Sequence, residues 1–293
     1  MGRLLRCCLV AVGLLGGLNA HAQSPVWALR GAHNTVYLAE SVHLLRPGDA
    51  KLPAAFDQAY AHARTIVMEI DLSSVDDVTL QSWMLEHGTL SGGKTLEQAL
   101  GAARYQRLSA QSAELGLPIE ALNQFAPWLV ALTLTDAEYL KLGFNPDDGV
   151  ERQIQRRAQQ DGKPIRGLET VDQQLGQLEQ LSLEQQGRFL DLTLEDMKDA
   201  QQDTDQLLAA WRAGDTRRLA SLLSEEYDAF PELYRALVTD RNRRWMPQIE
   251  RFLSDDHDYL VVVGALHLVG EGGLLQLARR DGLAVAPVMA PAR

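Results

Sequence analysis

Tyr259-Leu260-Val261-Val262-Val263, closed by Gly264-Ala265-Leu266-His267, is an apolar run with no polar alternation. That is the pattern of a strand covered on both faces, as in a parallel sheet flanked by helices. Working outward, comparable runs sit toward both ends of the chain. Residues 26–29 and 35–39 flank Gly31-Ala32-His33-Asn34, a hairpin signature. Residues 52–63 carry apolar side chains at helical spacing, 65–72 read as a buried strand, and 164–168 as a short one. After the opening run, 270–281 predict a helix and 283–288 a last strand. The stretches 76–142 and 171–252 are mostly helical, punctuated by Pro118, Pro127, Pro146, Pro231 and Pro247. The expectation is an α/β fold whose sheet is built from both chain ends, with a large helical insertion over about residues 76–252. Each end carries a strand followed by a loop histidine, which leaves two similar units open.

The first residues predict export. Arg3 and Arg6 precede a short apolar stretch from Cys7 to Leu18, and Ala20-His21-Ala22 fits a small-x-small cleavage site. The apolar stretch is too short for a spanning helix, which needs about 20 residues. Residues 1–22 therefore read as a signal peptide, residues 23–293 as the mature chain, and the location as periplasmic or secreted. Cys7 and Cys8 both lie in the leader, so the mature chain is left without disulfides, thiolate ligands or a thiol nucleophile. Loss of the two leader arginines takes the net charge from −11 to −13. An acidic chain without a basic run is a poor partner for nucleic acid or anionic lipid, and no later stretch is apolar enough to span a membrane. The glutamine-rich stretch from Gln173 to Gln206 keeps apolar residues near helical spacing and reads as a solvated helix face.

The reactive side chains share one property: each sits at or just past the carboxyl end of a strand-like run. His43 follows 35–39, Glu69 and Asp71 end 66–70, Glu169 follows 165–168, and His267 follows 259–263 by way of Gly264. Ligands collect outside the carboxyl ends of strands in open α/β sheets. Strands sharing a sheet and a direction would bring two histidines and two or three carboxylates to one edge. Such a set suits zinc, manganese, iron or cobalt, with a carboxylate left as general base. A histidine acting as base without a metal is the alternative. Each residue also has a plainer role open to it. His43 would bond a loop carbonyl, Glu69 would pair with an arginine, and Glu169 would favour a helix N-terminus. Arg241, Asn242, Arg243 and Arg244 open a helix, either as a solvated face or with Arg241 and Asn242 orienting an oxygen in the site. His33, His62, His87 and His257 read as solvated.

Read together, these stretches resemble a known family. Thr35-Val36-Tyr37-Leu38 with Ser41-Val42-His43, Leu52-Pro53 and Val67-Met68-Glu69-Ile70-Asp71 are similar to the opening of the TraB/GumN family. Gly167-Leu168-Glu169-Thr170 resembles its central motif, Arg241-Asn242 with Met246 its arginine motif, and Val263-Gly264-Ala265-Leu266-His267 its closing GxxH motif. The likeness runs in order through nearly all of the mature chain. The wider group includes the Tiki proteases, the erythromycin esterases and the haem-binding ChaN proteins. The resemblance implies two related α/β halves, each giving a GxxH histidine to one site. It implies His43 and His267 as metal ligands or bases, Glu69 and Glu169 as ligand or base, and Arg241 and Asn242 lining the site. The first motif departs from the pattern, with Glu40 where the family has glycine. That implies either a strained turn or an added carboxylate in the site.

The expected function is a metal-dependent hydrolase, peptidase-like, cutting an amide or ester bond in a peptide or other small substrate. Haem or iron binding through His43 and His267, by analogy with ChaN, is the alternative. A non-catalytic role in envelope polysaccharide export, suggested by the GumN name, is the third reading.

Overall fold

The structure, a computed structural model, describes residues 24–71, 75, 77–225 and 230–289. The expected leader and Leu72 lie outside the described residues. Among these, six strands form one sheet: β1 (Val26–Arg30), β2 (Thr35–Ser41), β3 (Thr65–Met68), β4 (Ile165–Gly167), β5 (Tyr259–Gly264) and β6 (Val285–Pro287), in the order β4-β3-β5-β2-β1-β6. Strands β2, β3, β4 and β5 run parallel, and β1 pairs antiparallel with both β2 and β6. The chain ends are thus interleaved, with C-terminal β5 seated between N-terminal β3 and β2.

The run that opened the sequence reading is this central strand. Every residue of β5 is buried, with Tyr259–Val263 fully so. Its partners Val36, Leu38, Ile66 and Val67 are equally inaccessible, so both faces of the sheet are covered, which explains the missing alternation. The β1–β2 hairpin turns at residues 31–34, where the Gly31 N–H donates to the Asn34 carbonyl at 3.0 Å.

Helices fill most of the chain between β3 and β5, interrupted by β4. They carry their own apolar clusters, one around Leu96, Leu108, Leu134 and Leu190, another around Trp128, Phe230 and Leu233. No described helix is long and apolar enough to cross a membrane.

Three boundaries differ from expectation, and each moves a functional side chain. β3 stops at Met68, so Glu69 and Asp71 lie past the strand and strand alternation does not put them on one face. β2 continues to Ser41, so Glu40 is a strand residue opposite Val263 and there is no turn there to strain. His267 lies not in a loop but in the short helix Ala265–Leu268.

Candidate active site

The four parallel strands present their carboxyl ends at one edge, and sheet order sets the order of the side chains. Glu169 follows β4, Glu69 follows β3, Gly264 and His267 follow β5, and His43 follows β2. Arg241 and Asn242 come in from the helix Asp240–Phe252.

Arg241 ties this edge together. Its Nε donates to Glu169 Oε1 at 2.8 Å, and its Nη2 to Glu69 Oε2. Nη1 donates to the Leu237 carbonyl and to His267 Nε2, both at 3.0 Å. Leu237 lies in the π-helical turn Arg235–Thr239 that leads into the Arg241 helix, a distortion frequent at functional sites. Trp245, one turn along, lies under the guanidinium at 4.7 Å and donates its indole N–H to Glu169 Oε2 at 3.1 Å. Glu169 therefore does not serve the following helix, whose N-cap is Thr170 in a capping box with Gln173.

A guanidinium only donates, so His267 Nε2 must be an acceptor and the ring proton sits on Nδ1. Asn242 Oδ1 lies 2.8 Å from Nδ1 and accepts its hydrogen bond. The Asn242 amide is itself fixed, donating to the carbonyls of His267 and Gly272 at 3.1 and 2.9 Å. Burial holds His267 well below its usual value, to about 3; Glu69 pulls it up, while Arg241 and His43 push it down. It is a neutral imidazole of one defined tautomer.

Glu69 is buried and fully partnered. Oε1 accepts from the Gly264 N–H at 2.7 Å, and Oε2 accepts from Arg241 and from Gln174 Nε2 at 2.8 Å. Burial pushes its carboxyl up, but the positive groups around it and the Gly264 N–H outweigh this and leave it below the usual carboxylate range.

His43 differs in kind. It lies at the rim with its side chain 67% exposed, and its Nδ1 is 2.6 Å from Glu151 Oε1. Ser41 Oγ donates to the same oxygen. The Glu151 charge, and then its hydrogen bond, raise the His43 imidazole above its ordinary value despite desolvation. Glu151 belongs to the helix Val150–Gln160 and was not singled out in the sequence, where a glutamate in a first helical turn reads as a dipole partner. The signal lies next to it, in Gly149. A Cβ there would sit 2.0 Å from the His43 carbonyl oxygen, so a glycine is required for the helix start to approach His43.

The two groups meet at Gly264. The space a Cβ would fill there has Glu69 Oε1 at 3.3 Å, His43 Nε2 at 3.5 Å and His267 Cδ2 at 3.7 Å. Glu69, Glu169, Arg241, Asn242, His267 and His43 are thus brought together. Glu40 is not: it faces away from Ser41 and so from Glu151. Asp71 is half-buried beyond the end of β3, its backbone N beside Gly167. Arg243 and Arg244 are exposed, Arg243 pairing with Asp240 at 2.9 Å. His33 and His62 are exposed as expected. His87 and His257 are half-buried instead, His87 stacked on Trp83 and paired with Glu179, His257 beside Thr65 and Tyr259.

The family profile for TraB/PrgY/gumN matches residues 25–287. This chain belongs to the TraB/PrgY/gumN family. Among its relatives is the uncharacterized protein YbaP of Escherichia coli K12, 27% identical over 269 residues, which cover 87% of this chain and 97% of YbaP. YbaP of Shigella flexneri matches to the same extent. An uncharacterized protein of Treponema pallidum is 22% identical over 300 residues, covering 95% of this chain and 87% of its own. No solved structure matches the chain. The TraB/PrgY/gumN match spans all six strands and every residue of the site.

The divalent ion that the family resemblance implies can be tested against these donors. Among the described residues no group of three or more His, Cys, Asp or Glu is arranged to hold a metal. The reason is chemical. The lone pair of His267 and one oxygen of each glutamate are directed at Arg241, and the other Glu69 oxygen takes the Gly264 N–H. As they stand, these residues do not fit a divalent cation.

Proposed function

We propose that this TraB/PrgY/gumN protein is a hydrolase of amide or ester bonds, working outside the cytoplasm, with His43 as its proton-transfer group. The observation that carries the reading is the convergence of His43 Nε2 and Glu69 Oε1 on Gly264, where a Cβ would lie 3.5 and 3.3 Å from them. A base and a carboxylate converging on one side of a glycine can share the attacking water of a hydrolysis.

Glu151 accepts a hydrogen bond from His43 Nδ1–H, which leaves Nε2 to take a proton from the attacking water. The water oxygen then bonds to the substrate carbonyl carbon. His43, now an imidazolium beside Glu151, returns the proton to the departing nitrogen or oxygen as that bond breaks. Glu69, ionised across the working range, orients the second water hydrogen. The inner cluster stays charged in the same way throughout. Because Glu151 raises the His43 value, the base form grows in above the ordinary imidazole range, and the rate climbs with pH. No step passes through a metal, since the donors do not fit one.

The test is hydrolysis of a chromogenic ester and of short peptide amides by the exported chain. The reading expects turnover that falls by about 10²-fold or more in His43→Ala, the usual worth of a general base. It expects the same loss in Gly264→Ala, which sets a methyl between Glu69 Oε1 and His43 Nε2 at a backbone conformation alanine tolerates (φ −50, ψ 139). Full activity in both variants, or no turnover on the whole panel, counts against it. Sequencing the N-terminus of the protein recovered outside the cytoplasm tests the location, with Gln23 expected first.

A further inference from the structure

We propose that Arg241 is the resident cation of this site, its guanidinium standing where a divalent ion would have to sit among Glu69, Glu169 and His267. The inference is independent of the hydrolase reading, because it is read out by metal binding.

Two carboxylates and a tautomer-fixed imidazole converging on one point is a donor set that zinc, manganese or iron would take. The outer shell also has the form seen around a metal-bound histidine. Nδ1–H of His267 is held by Asn242, which leaves Nε2 as a directed lone pair. What those atoms receive is a guanidinium: Nη2 meets Glu69 Oε2, Nε meets Glu169 Oε1, and Nη1 meets His267 Nε2.

Arg241 cannot easily leave. It is 5% exposed, Trp245 covers its face, and the Leu237 carbonyl holds Nη1 from the π-helical turn. An incoming ion would have to strip the donors from a buried guanidinium and leave it unpaired beside a second positive charge. The guanidinium offsets one of the two carboxylate charges, and the N–H groups of Gly264, Gln174 and Trp245 donate to the remaining carboxylate lone pairs. A planar, always-protonated group does this without dependence on metal supply or pH.

The arrangement predicts that taking the guanidinium away uncovers a metal site. The test compares metal binding in three forms of the full chain. Wild type, purified without chelator, should carry no stoichiometric zinc, manganese or iron, and added zinc should not raise its unfolding midpoint. Arg241→Ala should bind zinc with one site per chain, and zinc should raise its unfolding midpoint by mass action. Guanidinium ion at millimolar concentration should compete with that zinc by refilling the vacated place. Adding Glu169→Gln to Arg241→Ala should weaken the zinc site, which a merely loosened fold would not do.

One tightly held divalent ion per wild-type chain, lost in His267→Ala, would overturn the proposal. So would a folded Arg241→Ala that binds zinc no better than wild type. If Arg241→Ala folds neither with zinc nor with guanidinium, the wild-type metal content decides the matter, and Arg241→Lys gives a second reading. Lysine keeps the positive charge in the same place and should remain free of bound zinc.

Discussion

Glu69, just past the end of β3, and Glu40, within β2, are both buried acids beside β5, and they have opposite fates. Glu69 is met by Arg241, Gln174 and the Gly264 N–H, and its carboxyl stays below the usual range. Glu40 is 0% exposed, neither of its oxygens has a hydrogen-bond partner among the described residues, and burial pushes it up to about 8 against a smaller pull from the Trp27 indole. Burial alone therefore does not decide the charge of a carboxyl group; the donors aimed at it do. The site side of the sheet is built to hold charge. The position where the family pattern has glycine is not, and Glu40 there is best accommodated as a neutral acid.

The comparison can be broken most forcefully by making Glu69 resemble Glu40. Arg241→Ala leaves two buried carboxylates without their cation. Loss of one partner of such a pair costs about 3–5 kcal/mol, so the urea midpoint should fall accordingly in metal-free buffer. A change below 1 kcal/mol, roughly the worth of a surface ion pair, would mean the cluster is not buried charge at all.

A smaller effect comes from the other side. The folded value of Glu40 is raised, so its stabilising contribution is fully present below the unfolded value of 4.5 and is lost as pH climbs through about 8. The shift corresponds to at most about 5 kcal/mol, reduced by whatever relaxation the site allows. Glu69 has the opposite sign: its contribution is present above the unfolded value and is lost as pH falls. Glu40→Gln should flatten the alkaline loss of stability by a few kcal/mol between about pH 5 and 9, leaving the acid limb unchanged. An unaltered alkaline limb in that variant would show that Glu40 is not titrating there.

The smallest step sharpens the account of Glu69. Gln174→Ala removes one neutral donor from an ionised Oε2, worth about 1.5 kcal/mol. The loss should shrink when the same change is made in Glu69→Gln, because a double-mutant cycle isolates the contact. Simple additivity would mean that Gln174 acts elsewhere.

Much of this was legible before any coordinates. The five-residue apolar run at 259–263 announced a strand with two covered faces, and that strand is the centre of the sheet. Side chains placed at strand ends converged because four neighbouring strands are parallel, a topology that sequence order does not state but that strand-loop-helix spacing favours. The failures were local. Glu69 and Asp71 were read as the end of a strand running to residue 72, whereas the strand stops at Met68. Glu40 was read as a turn residue because the family glycine suggested one, whereas pairing of Glu40 with Val263 and of Ser41 with Gly264 carries the strand two residues past the expected end at 39. Glu151 was invisible because its partner is 108 positions away in sequence, and only the tight contact at Gly149 ties the two.

The central claim is that this edge of the sheet holds two histidines in different states: an inner one kept neutral by burial and Arg241, its proton placed on Nδ1 by Asn242, and an outer one whose cationic form Glu151 favours. Imidazole nitrogen resonances, followed from about pH 5 to 9 and assigned with His43→Ala and His267→Ala, measure this directly. The account predicts that His267 stays neutral throughout with its proton on Nδ1, while His43 loses its proton only above the ordinary value of 6.5. A His267 that titrates near 6.5, or that carries its proton on Nε2, would contradict it, because Nε2 could not then be accepting from Arg241.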